Sequence, residues 1–286
     1  GKYRISPMKK VVTIQDISCV GKCSLTVALP IISALGIETA VIPTALLSTH
    51  TAFQGFFFHD LTSDITKIED HWKKENFSFD AIYSGYLGSK EQVDIVSSFI
   101  DSFRKKDTLV VVDPAMADFG RMYAGFDRSF ALCMASLCRN ADVILPNMTE
   151  ASFLLGEEPL DPKSGREEIE SLIHRLSSLG AKKIVLKGIE KDEKTMGIAI
   201  YDGEKDDISY YFHEKVHETF HGTGDVFASV FTGAMVRGVS FSDAASLAAD
   251  FTVEAIKETM KEENYHTYGV DFEKALPYLM KRSGIL

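Results

Sequence analysis

Six short apolar runs, rich in β-branched residues, punctuate this chain: residues 11–14 (VVTI), 39–42 (TAVI), 81–83 (AIY), 109–112 (LVVV), 143–145 (VIL) and 184–186 (IVL). Each is too short for a buried helix and lacks the apolar/polar alternation of a half-exposed strand, so each reads as a strand covered on both faces. Between them lie longer segments with apolar residues at three- and four-residue spacing, such as Val93, Ile95, Phe99 and Phe103, or Ile169, Leu172, Ile173 and Leu176. Those spacings predict helices. Strands alternating with helices predict βαβ crossovers and a largely parallel sheet sandwiched between helical layers. After Lys187 the pattern changes. Residues 197–201, a turn at Asp202-Gly203 and residues 208–212 predict a β-hairpin on one edge. From Asp225 to about Lys281 the pattern is helical, with N-cap signals at Ser240 and Asp271 and breaks at Gly238 and Gly269.

The 286 residues contain no internal repeat, low-complexity tract or Pro/Gly/Ser linker. Residues 8–286 are therefore expected to form a single domain, with residues 1–7 a natural extension or tag remnant ahead of Met8. The charge balance, 31 Lys+Arg against 41 Asp+Glu for a net −10, disfavours nucleic acid and anionic membrane surfaces as partners. With no apolar run approaching 18 residues and no apolar stretch near the start, a cytoplasmic protein is expected. Cys19, Cys23, Cys133 and Cys138 lack the spacing of a zinc site and read as reduced thiols.

In open parallel sheets, ligands bind beyond the carboxyl ends of the strands. The residues that follow the six runs include Gln15, Asp16 and Ser18, then Ser48 and Thr51, then Ser84 and Tyr86. Asp113, then Asn147, Thr149 and Glu150, and finally Lys187 complete the set. The sharpest local signal is Gly222-Thr223-Gly224-Asp225 opening a helix of small residues. Two glycines ahead of a helix let several backbone N–H groups point at one spot, where the helix dipole favours an anion. An aspartate there is also a common cap. The combination of an anion hole and an adjacent carboxylate suits phosphoryl transfer to an alcohol, with Asp225 accepting the hydroxyl proton. Transfer from ATP needs Mg²⁺, for which Asp113 and Glu150 are the candidate ligands. Lys187 would attract nucleotide phosphates. Residues 21–24 (GKCS) resemble the end of a P-loop but lack its earlier glycine and its Ser/Thr after the lysine. His213, His217 and His221 recur every fourth residue, yet along a strand they would spread over about 26 Å, too far for one ion.

Taken together, Gly222-Thr223-Gly224-Asp225 and Asn147-x-x-Glu150 resemble the hallmarks of the ribokinase-like superfamily. Residues 48–51 (STHT), 84–86 (SGY) and 113–116 (DPAM) followed by Asp118 are similar to motifs of its pyridoxal kinase branch. The resemblance runs from Met8 to about Tyr278. It implies a three-layer αβα sandwich with a mostly parallel sheet and a small β-hairpin edge. The implied activity is Mg- and ATP-dependent phosphorylation of a B6 vitamer's hydroxymethyl group, as in B6 salvage. Asp225 would be the base, and Gly222, Thr223 and Gly224 the anion hole. Asp16, Thr51 and Tyr86 would contact the vitamer; Asp113, Asn147, Glu150 and Lys187 would serve ATP, with Asp113 and Glu150 on the metal. Residues 117–127 would be a lid, a monovalent cation such as K⁺ could assist, and a homodimer is implied. Asp16 departs from the branch, which often has a serine there, and Ala117 replaces a glycine. The hydroxymethylpyrimidine kinases are close kin, but their glycine-rich stretch after the first strand is missing. A non-catalytic vitamer-binding protein on the same fold would be expected to have lost Asp225 or the anion-hole glycines.

Overall fold

Why the apolar runs are apolar throughout is visible in the sheet they build. The computed structural model describes residues 8–286, so the expected extension at 1–7 lies outside the described residues. Parallel strands β1 (Lys10–Val20), β2 (Glu38–Thr49), β4 (Ala81–Ser84), β5 (Leu109–Val112), β8 (Val143–Ile144) and β9 (Lys183–Glu190) form its body. β3 (Phe58–Asp60) adds an antiparallel edge beside β2. At the other edge β10 (Thr195–Asp202) and β11 (Asp207–Glu214) form the expected hairpin. The order is β11-β10-β9-β8-β5-β4-β1-β2-β3.

Alternate residues of each run face opposite layers. Val110 and Val112 belong to one apolar core and Val111 to the other; Ile184, Leu186 and Val185 divide in the same way. The first core lies under α2 (Thr62–Lys74), α3 (Lys90–Phe103), α4 (Arg128–Arg139), α5 (Met148–Leu154) and α6 (Arg166–Ser178). The second lies under α1 (Leu25–Ala34), α7 (Thr223–Val236), α8 (Phe241–Met260) and α9 (Phe272–Arg282). This is the three-layer αβα architecture of the ribokinase-like fold. A small antiparallel pair, β6 (Ala117–Asp118) and β7 (Arg121–Met122), stands apart from the main sheet.

Two expectations are corrected. The first two strands continue well past their apolar runs, so Asp16, Ser18 and Ser48 lie within β1 and β2 rather than after them. β1 pairs with β2 as far as Val20, with a register shift between Gln15 and Ile17, whereas its pairing with β4 stops at Ile14. One flank of β1 beyond Ile14 is thereby left open to the space above the sheet. Asp271 precedes α9 but does not cap it through its side chain. Its carboxylate instead accepts from Lys22 Nζ at 2.7 Å, and Glu273 accepts from the same ammonium at 2.9 Å. Ser240, by contrast, caps α8 as expected, accepting from Asp243 N.

The Lys22–Asp271 pair ties the loop after β1 to the last helix across 249 residues. In urea unfolding, Lys22→Met and Asp271→Asn are expected to be non-additive by about 0.5–1 kcal/mol, as for a partly exposed ion pair. Simple additivity of the two costs would show that the pair carries no coupling.

Candidate active site

The start of α7 is shaped by its glycines. Gly222 holds φ at 82°, and a Cβ there would lie 2.2 Å from the carbonyl oxygen of Lys22, so no other residue fits. Its own carbonyl accepts from Val226 N at 3.0 Å, while among the described residues the N–H groups of Gly222, Thr223 and Gly224 donate to no loop carbonyl. The helix can settle this close because of its small residues: a Cβ at Gly233 would meet Leu35 Cδ1 at 2.4 Å. Asp225 sits in the first turn and accepts from the backbone N–H of Ser24 at 2.8 Å. Its carboxyl is pushed up to about 7, first by burial and then by Asp113 and Asp16, while the Ser24 N–H and Lys187 pull the other way.

Ser24, which sequence reasoning passed over as part of a failed P-loop, is central to this geometry. Its backbone stands at φ 51° and ψ −127°, a conformation that side-chain-bearing residues rarely adopt. That backbone aims its N–H at Asp225, while its hydroxyl donates to Asp16 Oδ1 at 2.7 Å. Its place immediately before a helix was the only signal available from sequence. Asp16 is 8% exposed, and burial raises its carboxyl. Tyr86 is close enough to feel its charge and packs on Phe126 with ring centroids 5.6 Å apart, which links the expected vitamer wall to the end of the 117–127 segment. Gly85, just before it, has no room for a side chain because Gln15 Oε1 would lie 2.3 Å from a Cβ.

Asp113 ends β5 and is nearly fully buried; Ala115 N donates to its Oδ1. A Cβ placed on Gly224 would lie 3.8 Å from Lys187 Nζ and 3.9 Å from Asp113 Oδ2, so the lysine, this carboxylate and the anion hole converge. Burial raises the Asp113 carboxyl and Lys187 opposes the rise. Asn147 and Glu150 form a capping box at the start of α5. Glu150 also accepts from Met116 N and Ala117 N, Asn147 Nδ2 donates to the Ala117 carbonyl at 2.8 Å, and Thr149 Oγ1 accepts from Gly120 N at 2.9 Å. The Asn-x-Thr-Glu segment thus braces the β6–β7 hairpin, a role the sequence reading did not foresee. Burial and Asp113 raise the Glu150 carboxyl. The hydroxyl of Tyr123, beyond the hairpin, lies near Glu150, Asp118, Asp113 and Asp225, and burial together with their charge pushes it well up.

Among the described residues, no group of three or more His, Cys, Asp or Glu side chains is arranged to hold a metal ion by itself, the three histidines 213, 217 and 221 included. The oxygen-only donors around Asp113, with carboxylates outnumbering the one lysine, nevertheless suit Mg²⁺. This ion takes one or two protein carboxylates and completes its shell with water and phosphate oxygens. Among the described residues nothing donates to Asp113 Oδ2, whereas both oxygens of Glu150 accept from backbone N–H groups. Asp113 is therefore the better placed ligand.

Thr51 stands on an exposed turn. Its neighbour His50 is buried against Gly21 and lies 4.9 Å from the ring of His221. Burial and His221 both lower His50. Beside them opens a cleft of about 370 Å³, lined by Phe53, His221, His266 and Tyr268 among others. The four cysteines are all unpaired, and no helix among the described residues is long and apolar enough to cross a membrane.

Comparison with known proteins agrees with this geometry. A crystal structure of a Bacteroides thetaiotaomicron protein classed with the phosphomethylpyrimidine kinases is 37% identical, with a TM-score of 0.92 over 98% of this chain and 96% of that one. A second crystal form of that protein contains pyridoxal. The pyridoxal kinase of Lactobacillus plantarum is 29% identical, with a TM-score of 0.88 over 96% of this chain and 97% of that one. The hydroxymethylpyrimidine/phosphomethylpyrimidine kinase of Aquifex aeolicus is 27% identical over 79% of this chain and 86% of its own length. The phosphomethylpyrimidine kinase family model matches residues 29–269, and the chain belongs to that family, as a pyridoxal kinase-like member of the ribokinase-like superfamily.

Proposed function

We propose that this kinase phosphorylates the 5′-hydroxymethyl group of pyridoxal and related B6 vitamers, with Mg·ATP as the donor and pyridoxal 5′-phosphate as the product. The observation that carries the reading is the pairing of Asp225 with the unpartnered N–H groups of Gly222, Thr223 and Gly224 at the start of α7. Pyridoxal in the B. thetaiotaomicron crystal form favours a B6 vitamer as the acceptor. The family match favours hydroxymethylpyrimidine as a second acceptor, a similar heteroaromatic alcohol.

Asp225 takes the hydroxyl proton, and its raised carboxyl is a stronger base than an ordinary aspartate. The glycine-flanked N–H groups stabilise charge on the transferred group without reorganisation. Lys187 and Asp113 hold the phosphate end, Asp113 with Mg²⁺, while Asn147 and Glu150 keep the β6–β7 hairpin in place above them. Tyr86 and Asp16 border the acceptor ring. Bound Mg·ATP would supply the phosphoryl group, and its Mg²⁺ would offset charge on the triphosphate and on the neighbouring carboxylates.

Asp225→Asn should lower kcat by at least two orders of magnitude while ADP still binds in calorimetry, and near-normal turnover would refute the base assignment. Lys187→Ala should raise the ATP KM more than the acceptor KM; a steady-state comparison in which the ATP KM is unmoved removes Lys187 from the phosphate site. The pH dependence has a defined sign. Asp225 must be ionised to accept the proton, so kcat/KM should fall as pH drops through about 7. Stability runs oppositely: the buried charge is a full penalty above about pH 7 that fades as pH falls toward the ordinary aspartate range. Asp225→Asn should therefore raise Tm at pH 8, and by less at pH 5. Equal shifts at both pH values would contradict the assignment.

A further inference from the structure

We infer that Asp16, oriented by Ser24, selects a positively charged nitrogen on the acceptor, so that this protein favours hydroxymethyl heteroaromatics presented as cations over neutral ones of the same shape. The inference rests on the kinase reading above and names the class of acceptor within it.

Asp16 lies on β1 beyond the point where its pairing with β4 ends, at the register shift between Gln15 and Ile17. It is more than nine-tenths buried. Oδ1 accepts from Ser24 Oγ at 2.7 Å, and among the described residues no other side chain or backbone group of another residue donates to Oδ2. Among the described residues no Lys, Arg or His forms an ion pair with Asp16. Lys22, the nearest cation in sequence, is turned away to Asp271 and Glu273. Its charged neighbour is Asp225, which adds repulsion, and Tyr86 borders it with an aromatic ring.

A buried carboxylate without a cation is unfavourable unless it neutralises or a ligand supplies the charge. The free oxygen is a charge-assisted acceptor waiting for an N–H⁺ donor. A serine or asparagine could hydrogen-bond a neutral ring equally well, so the carboxylate discriminates by charge. Ser24 reaches Asp16 through its hydroxyl and Asp225 through its N–H, which places the selected nitrogen beside the base and leaves the base itself free for the hydroxymethyl group. A protonated ring nitrogen and an ammonium on a ring substituent share this chemistry.

The test compares wild type with Asp16→Asn on three acceptors at saturating Mg·ATP. Pyridoxamine carries an ammonium, pyridoxine offers only its ring nitrogen, and a benzyl alcohol analogue of pyridoxine has carbon in place of that nitrogen. The preference in kcat/KM for the nitrogenous acceptors over the analogue should collapse at least tenfold in Asp16→Asn, mainly through KM. Equal losses for pyridoxamine and pyridoxine identify the ring nitrogen, and loss for pyridoxamine alone identifies the ammonium. An unchanged preference overturns the inference. Titration of pyridoxamine without ATP should show at least tenfold weaker binding to Asp16→Asn, and equal affinities, or no binding to wild type, also overturn it. A wild type that binds pyridoxamine with this difference but phosphorylates none of the three refutes the kinase reading alone. Should Asp16→Asn not fold, Asp16→Ser gives the same comparison.

Discussion

One hydrogen bond, from the backbone N–H of Ser24 to the Asp225 carboxylate, joins the loop leading into α1 to the first turn of α7, 201 residues on, and the site depends on it. It requires Ser24 to sit in a strained conformation and Gly222 to pass within contact of the Lys22 carbonyl. Neither segment could hold that geometry alone. The ion pairs from Lys22 to Asp271 and Glu273 and the packing of α1 against α7 through Gly233 keep the two segments pressed together, so the outer helices indirectly fix the orientation of a single carboxylate.

Charge is the second organising constraint. A net −10 chain gathers Asp16, Asp113, Asp118, Glu150 and Asp225 near the start of α7, with the Lys187 ammonium close to four of them. Burial raises Asp113, Glu150 and Asp225 together, and the Asp113 charge adds to the rise at Glu150 and Asp225. Such an arrangement is poor for stability, since buried like charges disfavour the compact state, and well suited to binding groups that bring positive charge with them. The backbone N–H groups at the start of α7 provide the opposing potential without adding a side-chain charge.

Much of the fold was legible because burial on both faces leaves an unmistakable apolar run: β5 occupies the very residues, Leu109–Val112, that the pattern marks. The later halves of β1 and β2 were not legible, because Gln15, Asp16 and Ser18 are buried polar residues within a strand and imitate a loop. The glycine-flanked Asp225 could be read locally, since its chemistry lies in consecutive residues. Ser24 could not, because its importance comes from a contact made only after folding and from a dihedral angle that no serine advertises. Asn147 and Glu150 were read as nucleotide contacts. They also hydrogen-bond a hairpin about 30 residues earlier in the chain, a long-range partnership invisible in spacing.

The bracing of that hairpin also divides the segment above the site mechanically. Met116, Ala117 and Gly120 are pinned by Glu150, Asn147 and Thr149, whereas beyond Gly120 the contacts are the pairing of β7 with β6, the bond from Tyr123 N to the Met116 carbonyl, and the packing of Met122 and Phe126 on the first core and of Phe126 on Tyr86 and Phe130. Gly120 and Gly125, both at positive φ and with open space around them, bracket the stretch that carries Tyr123. The near half of the segment is thus tied to the start of α5, the helix whose Glu150 lies near Asp113, whereas the far half reaches the site through its own turn and through the aromatic packing of Phe126 on Tyr86.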